Sequence, residues 1–573
     1  MSKNADQLQE QLESVTGVQL AQGIGHQPAR GFWTEAWAQV FRRPAAVFGL
    51  VWIAIVSFFA IFSPLIASGH PLMAWKINDA GERGAFHSPL IDTLSSADIT
   101  LIMFGVMTPL ILIVKLPKLD YSKKLRIIIA GAIQMGLAVI VAKLVEGYFT
   151  QRDAVGFAAS WGQSEYFKSV STIVIGAVTM IPFILISIFV HSSFSRVINV
   201  VIIAALTSGV IYWKWSPELN NYDYRTQESV GQLDASYTIV PFSPDQSYSA
   251  MFNRPPGSTP MHSMWDRLEQ WQRRQVDQSA IFSDEELSAI EISDPVFAEL
   301  DSMSSSYDSL TSEPIEVAIQ SLRDRVSTGE LGTMLDLRAA IIEYDAPSHI
   351  IGTDTLGQDV LSQMLHACRL AISIGFVSTS IAVFIGVTIG SLMGYFGGWV
   401  DLILYRVVEI FMAIPVLFLL IVAAAVLPRN TYVMMAIIGC FTWTGAARFI
   451  RAEFMKLRET DYVQAAKAMG LPLWSILFKH MLPNGVTPVL VESSFLIAAA
   501  ILIEAILSFL GLGPSGQASW GNLLRNASGE TGDFIWWLAI FPGAAIFLTT
   551  LAYNLIGEAL RDAIDPKLKK ARV

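Results

Sequence analysis

Ten stretches of about twenty mostly apolar residues run through this chain, and their length limits what it can fold into. They centre on residues 47–67, 99–115, 126–145, 169–190, 197–215, 370–396, 402–427, 432–450, 485–510 and 534–557. A helix of that length crosses the bilayer's hydrocarbon core, where every backbone amide must be satisfied internally. The second stretch is the shortest and has Pro109 inside it. Composition agrees, since 15% of the 573 residues are charged where a soluble domain carries roughly a quarter. The expected fold class is an all-α polytopic membrane protein. The first 40 residues are polar and lack a leader with a cleavage site, so the first span is expected to act as an uncleaved signal anchor. Cys368 and Cys440 have neither metal-ligand spacing nor an obvious disulfide partner and read as packing residues.

Charge placement orients the spans. Arg42 and Arg43 precede the first, and Lys115, Lys118, Lys123, Lys124 and Arg126 lie between the second and third. Arg448, Arg451, Lys456, Arg458, Lys467 and Lys479 surround one loop, and Arg561, Lys567, Lys569, Lys570 and Arg572 fill the tail. With ten spans and both termini inside, all four clusters fall on the cytoplasmic side. Residues 216–349 hold 23 Asp and Glu against 8 Arg and no Lys, a net charge of −15, which leaves about +5 for the rest of the chain. That acidic block then falls outside. It reads as extended at 222–260 and helical at 265–276, 284–300, 314–325 and 330–344. It is either a small, partly ordered cap or a disordered linker.

The segment 461–484, DYVQAAKAMGLPLWSILFKHMLPN, is polar and basic although apolar spans flank it. Ala465 and Ala466 offer a small-residue face, Gly470 permits a backbone reversal, and Leu482-Pro483 follow. This pattern resembles the loop by which permease subunits of ATP-binding-cassette importers dock their ATPase, a short helix, a turn at the glycine and a second short helix. Gln464 stands where that family usually has Glu, and His480 where it has Ile.

A second region carries the same resemblance. Gly352, Thr353, Asp354, Gly357, Asp359, Ser362 and Arg369 are similar to a signature of C-type permeases of oligopeptide and dipeptide importers. Gln358 and Gln363 replace its usual Arg, and Ala367 its Gly. The Gly-Thr-Asp turn is expected to cap the helix that follows. Gly397-Gly398, Asp401, Arg406, Glu409 and Pro415 continue the match. So do Glu504 with the 507–513 segment, Trp520-Gly521, and Gly557-Glu558-Arg561-Asp562-Asp565-Pro566. Residues 32–67 look like the family's first span and its lead-in. The runs Met481-Leu482-Pro483-Asn484 and His70-Pro71-Leu72 look closest to the subgroup linked to microcin C uptake.

The resemblance implies a type I permease core of about six helices, with a four-helix insertion and an external acidic cap. The implied layout is a cytoplasmic segment at 1–46, a first core span at 47–67 and an inserted bundle at 68–215. The external region at 216–349 follows, then the core at 350–565 with its docking loop at 451–484, and a cytoplasmic tail at 566–573. Implied partners are a second permease, ATPase subunits and a periplasmic solute-binding protein, around a bacterial inner membrane. The implied role is import of peptides or peptide-like solutes, with nickel or opines as the alternative within the family.

Other features leave choices open. Gly386, Gly390 and Gly394 form a ladder that reads as close helix packing or as path lining. Glu409, Glu492 and Glu504 lie in apolar stretches, where a carboxylate faces a cavity or a partner; they either line the path or pair with Arg406 or Arg448, and for Glu409 a structural pairing is expected. No G-x-x-x-x-G-K-[ST] loop occurs, so ATP and its Mg are expected on another subunit and no cofactor on this chain. No catalytic grouping is evident, which argues against an intramembrane enzyme. A secondary transporter would need a repeat between the halves, and none is legible.

Overall fold

A computed structural model describes residues 32–77, 83–113, 121–150, 167–189, 194–214, 233–248, 251–258, 347–485, 487–528 and 534–564, with Tyr224 and Glu228. The helices read from sequence between 265 and 344, and the tail at 566–573, lie outside these residues.

An amphipathic helix α1 (Phe32–Phe41) leads into the first span, α2 (Pro44–Ile66). Pro44 sits in its first turn, where a missing N–H costs nothing. Then come strands β1 (Met73–Ile77) and β2 (Arg83–His87), a short helix α3 (Pro89–Thr93), and four longer helices. These are α4 (Ser96–Ile113), α5 (Tyr121–Thr150), α6 (Phe167–Phe189) and α7 (Phe194–Trp213). Strand β3 (Leu233–Ser236) closes the excursion.

The sheet order is β2-β1-β3 with both pairings antiparallel, and Met73 lies opposite Ser236. The chain therefore leaves and returns at neighbouring points. This sheet was not legible in the sequence. Its strands β1 and β2 lie between the first two apolar stretches and β3 lies in the acidic 216–349 block; among the described residues the first helix after α2 long enough to cross is α4. The bundle has its own core of Ala138, Ala142, Phe167, Ile175 and Ile211. The amide of Gln134 donates to the Val200 carbonyl (2.9 Å). Lys214 Nζ, at the end of α7, donates to the Asp92 carbonyl on α3 (3.3 Å).

The second half begins with α8 (Val360–Phe396), 37 residues long. Helices α9 (Gly398–Ala413) and α10 (Val416–Val426) meet at an 80° bend, and α11 (Thr431–Thr442) and α12 (Thr444–Leu457) at 43°. The segment expected as one span at 402–427 is thus broken. Pro415 is the cause: it forces Ile414 into extended backbone and supplies no amide to the helix behind it. The loop elements follow, and then α15 (Thr487–Phe509), preceded by α13 and α14 described below. A short α16 (Trp520–Asn526) and a final span α17 (Trp536–Ile564) end the described chain.

Among the described residues five helices are long and apolar enough to cross a membrane, and the two bent pairs qualify as units. Shorter apolar lengths Ile127–Ala142, Phe167–Met180 and Val200–Trp213 lie within α5, α6 and α7. A helix covers each of the ten apolar stretches. The central core joins α2, α8, α15 and α17 through Val56, Ala60, Ala367, Ala371, Ile501 and Tyr553. Its alanines let backbones approach where no hydrophobic drive separates helix from lipid. The glycine ladder makes the closest seam. A methyl at Gly390 would stand 2.5 Å from the Ala447 carbonyl oxygen of α12, and one at Gly394 2.5 Å from Phe454 Cβ. The ladder therefore packs α8 onto α12.

Candidate functional site

The loop leaving α12 turns at Thr460 into α13 (Asp461–Ala468). Val463 and Ala466 are buried against Ile450, Phe454, Ile476 and Met481. Asp461, Gln464, Ala465 and Ala468 are exposed, and their spacing of three and four residues makes them one helical face. The expectation that Ala465 and Ala466 form a joint docking face is corrected here. Adjacent residues on a helix point about 100° apart, so Ala466 fills the chain's own core and Ala465 pairs outward with Ala468.

Gly470 ends the helix. Its N–H donates to the Lys467 carbonyl (3.0 Å) and the Leu471 N–H to the Ala466 carbonyl (3.2 Å). With Gly470 at φ +71°, this is a Schellman end in which a left-handed residue reverses the chain. The return arm is a π-helical turn, Ser475–Met481, and a short α14 (Leu482–Gly485). Pro483 is exposed and has no amide to carry the wide-turn ladder on. The arms are tied by Asn484 Nδ2, which donates to the His480 carbonyl (3.0 Å) and the Tyr462 hydroxyl (3.4 Å). Gln464 Nε2 donates to the Arg458 carbonyl (2.8 Å). A glutamate there would have no proton for that carbonyl, which gives the departure from the usual residue a physical sense. Met469 and Trp474, each more than 70% exposed, project at the tip, and Trp474 rests on Phe478 with ring centroids 4.0 Å apart.

At the start of α8 the signature residues form a polar junction. Asp359 is the helix cap: its Oδ2 accepts from the Ser362 N–H (2.7 Å) and its Oδ1 meets His349 Nδ1 at 2.8 Å. The expected Gly-Thr-Asp cap is corrected accordingly. Asp354 instead accepts from the Leu356 and Gln358 amides (2.9 Å each) and from Gln363 Nε2 (2.8 Å). Thr353 takes the Arg254 N–H on its hydroxyl and the Trp537 indole N–H on its carbonyl (2.9 Å each). Gly352 and Gly357 both have positive φ, and a side chain at Gly357 would collide with the Tyr248 carbonyl. The junction thus fastens the 247–258 segment to the core.

Charges within the spans separate into roles. Asp401 receives two hydrogen bonds from Arg451 (2.5 and 2.7 Å), and that guanidinium also lies 4.7 Å from the Tyr405 ring centre. Arg406 pairs with Glu409 at 2.5 Å, as expected, on the exposed side of α9. Facing lipid, such groups would cost about 2.5–3.5 kcal/mol each at the helix centre. Glu504 is buried and accepts from the Ser508 and Ser519 hydroxyls (2.7 and 2.8 Å), with Ser519 capping α16. It is therefore a structural knot between α15 and α16. Arg369 of α8 donates to the Ala60 carbonyl (3.1 Å) and to Asp98 of α4. Asp98 was not legible as a partner, because 271 residues separate the two.

A bundle of spanning helices carrying a folded polar loop between two of them defines an integral multi-pass membrane protein. Residues 386–570 match the family described as binding-protein-dependent transport system inner membrane component. Residues 31–81 match the N-terminal TM domain of oligopeptide transport permease C. A glutathione transport system permease, GsiD of Pectobacterium atrosepticum, is 37% identical over 228 residues, 40% of this chain and 75% of that protein. The dipeptide transport permease DppC of Alkalihalophilus pseudofirmus is 36% identical over 235 residues, again 40% and 75%. The peptidoglycan transport permease YejE of Agrobacterium fabrum is 38% identical over 220 residues, 38% of this chain and 57% of that protein. The chain belongs to the binding-protein-dependent transport permeases, as a permease subunit of a peptide-class ABC importer. Such a subunit works with an ATPase and a second permease and performs no chemical step itself.

Proposed function

We propose that this chain is one of two permeases of an ATP-driven importer for peptides or peptide-like solutes in a bacterial inner membrane. It forms the translocation path with a related permease and receives substrate from a periplasmic solute-binding protein. ATP and Mg bind the partner ATPase subunits, and movement reaches the helices through the 461–484 loop. The helices then rock between outward and inward access, as a ligand-biased two-state element does. In this arrangement 1–46 and the 566–573 tail lie inside. Residues 68–215 form the insertion, 216–349 lie outside, and 350–565 form the core.

The observation that carries this reading is the loop itself. A span end continues into a folded helix-turn-helix with an internal core, while a small face and an apolar tip remain exposed. Relatives named for glutathione, dipeptide and peptidoglycan transport support the peptide class over nickel or opines. The test is to purify the tagged chain from membranes, identify the co-purifying subunits, and measure uptake by proteoliposomes holding the complex. ATP-dependent uptake of peptides that needs the binding protein is expected. Transport driven by an ion gradient by the chain alone overturns the reading.

A further inference from the structure

Two charged residues near the inner end of the core are absorbed by none of the roles above. Arg448 lies on α12 one turn before Arg451, and Glu492 lies about one and a half turns into α15. The opposite side of α12, with Ala446, Ala447 and Ile450, is buried, so Arg448 points away from the packed seam and is exposed. Glu492 is half-buried. The two are within electrostatic reach of each other. Yet among the described residues neither has a hydrogen bond or ion pair. This contrasts with Asp401 and Arg451, and with Arg406 and Glu409, which are in contact.

Gly445 of α12 lies against the Glu492 carboxylate. A methyl at Gly445 would already stand 3.2 Å from Glu492 Oε1, so any larger side chain there would press on the carboxylate. A half-buried acceptor and an exposed donor of opposite sign, not in contact with each other, suit a ligand that brings a cation and a neutral acceptor on neighbouring atoms. The amino terminus of a peptide is such a group. Its ammonium has three donors for a carboxylate, and its first carbonyl oxygen accepts from a guanidinium. Lipid is a poor alternative occupant, because unpaired charges in spans turn towards cavities or partners.

We infer that Arg448 and Glu492 form a station at the inner mouth of the translocation path that holds the free amino end of a peptide substrate. This rests on the peptide-import reading. Glu492 takes the ammonium, Arg448 takes the first carbonyl oxygen, and the absence of a side chain at Gly445 leaves the carboxylate uncrowded.

The experiment uses proteoliposomes containing the full complex with saturating binding protein. Trialanine and N-acetyl-trialanine are the probes, and KM is separated from the maximal rate because capture by the binding protein enters KM. Glu492→Gln is expected to lower the maximal rate for trialanine at least tenfold while changing that for the acetylated peptide less than twofold. Arg448→Gln should lower both, since both peptides keep the carbonyl. The exchanged double variant, Arg448→Glu with Glu492→Arg, should not recover. Recovery in the exchanged variant, equal loss for both peptides in Glu492→Gln, or no loss in either single variant overturns the station. Loss of the second permease from the purified variants assigns the pair to the subunit interface and also overturns it. A wild-type complex that imports neither peptide, yet imports another solute with ATP, fails the peptide reading itself.

Discussion

Arg369, in the core helix α8, makes its ion pair with Asp98, in the first helix of the inserted bundle. The cation of α8 is therefore neutralised by a residue of the helices that lie between β1 and β3 in the chain. Asp98 is itself held by the Ser95 backbone N–H (2.8 Å) and the Ser95 hydroxyl (2.6 Å), so the carboxylate is positioned before the arginine reaches it. Both side chains are partly exposed, which reduces the worth of the pair relative to a fully buried one.

Among the described residues, replacing Asp98 by Ala leaves Arg369 hydrogen-bonded to the Ala60 carbonyl alone. The expected cost is about 2 kcal/mol, the range for a lost hydrogen bond to a charged group. Thermal unfolding of the purified protein in detergent reads it. Adding Arg369→Met to Asp98→Ala should restore most of the loss, because the stranded charge is then gone; purely additive losses would contradict the pairing.

The strand pairing makes a second prediction about the insertion. Lys76 of β1 lies opposite Leu233 of β3, so a two-residue turn can join the strands once the residues between them are removed. Among the described residues that deletion takes out β2, the short α3 and the four longer helices α4–α7, an even number of candidate spans, and the positive-inside bias of the remaining core is kept. With Arg369→Met included, the shortened chain should insert with its C-terminal reporter on the same side as in the full chain. A reporter that changes sides would show that the removed residues cross the membrane an odd number of times.

Packing of α8 on α12 sets a third test. A side chain at Gly390 meets the Ala447 carbonyl, a backbone atom that cannot swing away. Gly390→Leu should cost at least about 3 kcal/mol, the upper range of overpacking, and reduce membrane abundance several-fold. At Gly136, where a methyl would meet nothing within 4 Å, the same substitution should be nearly neutral in quantitative blots of membrane fractions.

How far the sequence could be read depends on the range of each interaction. Span positions follow from local composition, and the Gly470 turn from one residue's freedom at positive φ, so both were legible. The break at Pro415 was missed, because composition alone made 402–427 one span, and the 80° bend goes with long-range contacts of Phe411 on Phe441 and Trp443 that no local pattern reports. Asp354 and Asp359 are equally good caps in sequence. Only the placement of His349 and Gln363 decides that the second caps and the first braces the loop. The side on which Ala466 falls depends on where the π-helical turn lays Ile476 and Met481, which no periodicity reports.

Orientation is tested by labelling. In a Cys440→Ser background, which leaves only buried Cys368, single cysteines are placed at the exposed Ala468 and at Ser302, outside the described residues. An impermeant maleimide on intact spheroplasts should modify Ser302→Cys and spare Ala468→Cys until the membrane is opened. The reverse pattern would invert the topology.

The loop offers a pair of substitutions that separate coupling from folding. Gly470 has φ +71° with nothing within 4 Å of a methyl built on it, so the obstacle to a side chain is backbone strain and not space. Asn tolerates that conformation better than other residues, whereas an ordinary L-residue pays about 1–2 kcal/mol for it. Gly470→Asn should therefore leave abundance near normal while placing a side chain on the surface offered to the ATPase. Ala466→Trp does the opposite: it overfills the pocket beside Phe454 and Met481 and unfolds the loop from within. If the loop couples ATP hydrolysis to transport, Gly470→Asn should keep its membrane level but release the ATPase more readily and import less substrate per ATP hydrolysed. Ala466→Trp should lose abundance and uptake together. Unchanged ATPase retention and unchanged uptake per ATP in Gly470→Asn, and again in Gly470→Trp, would remove the loop from the coupling path. The end of α17, where Asp562 pairs with Arg43 at 2.6 Å, would then be the next surface to test for contact with the motor.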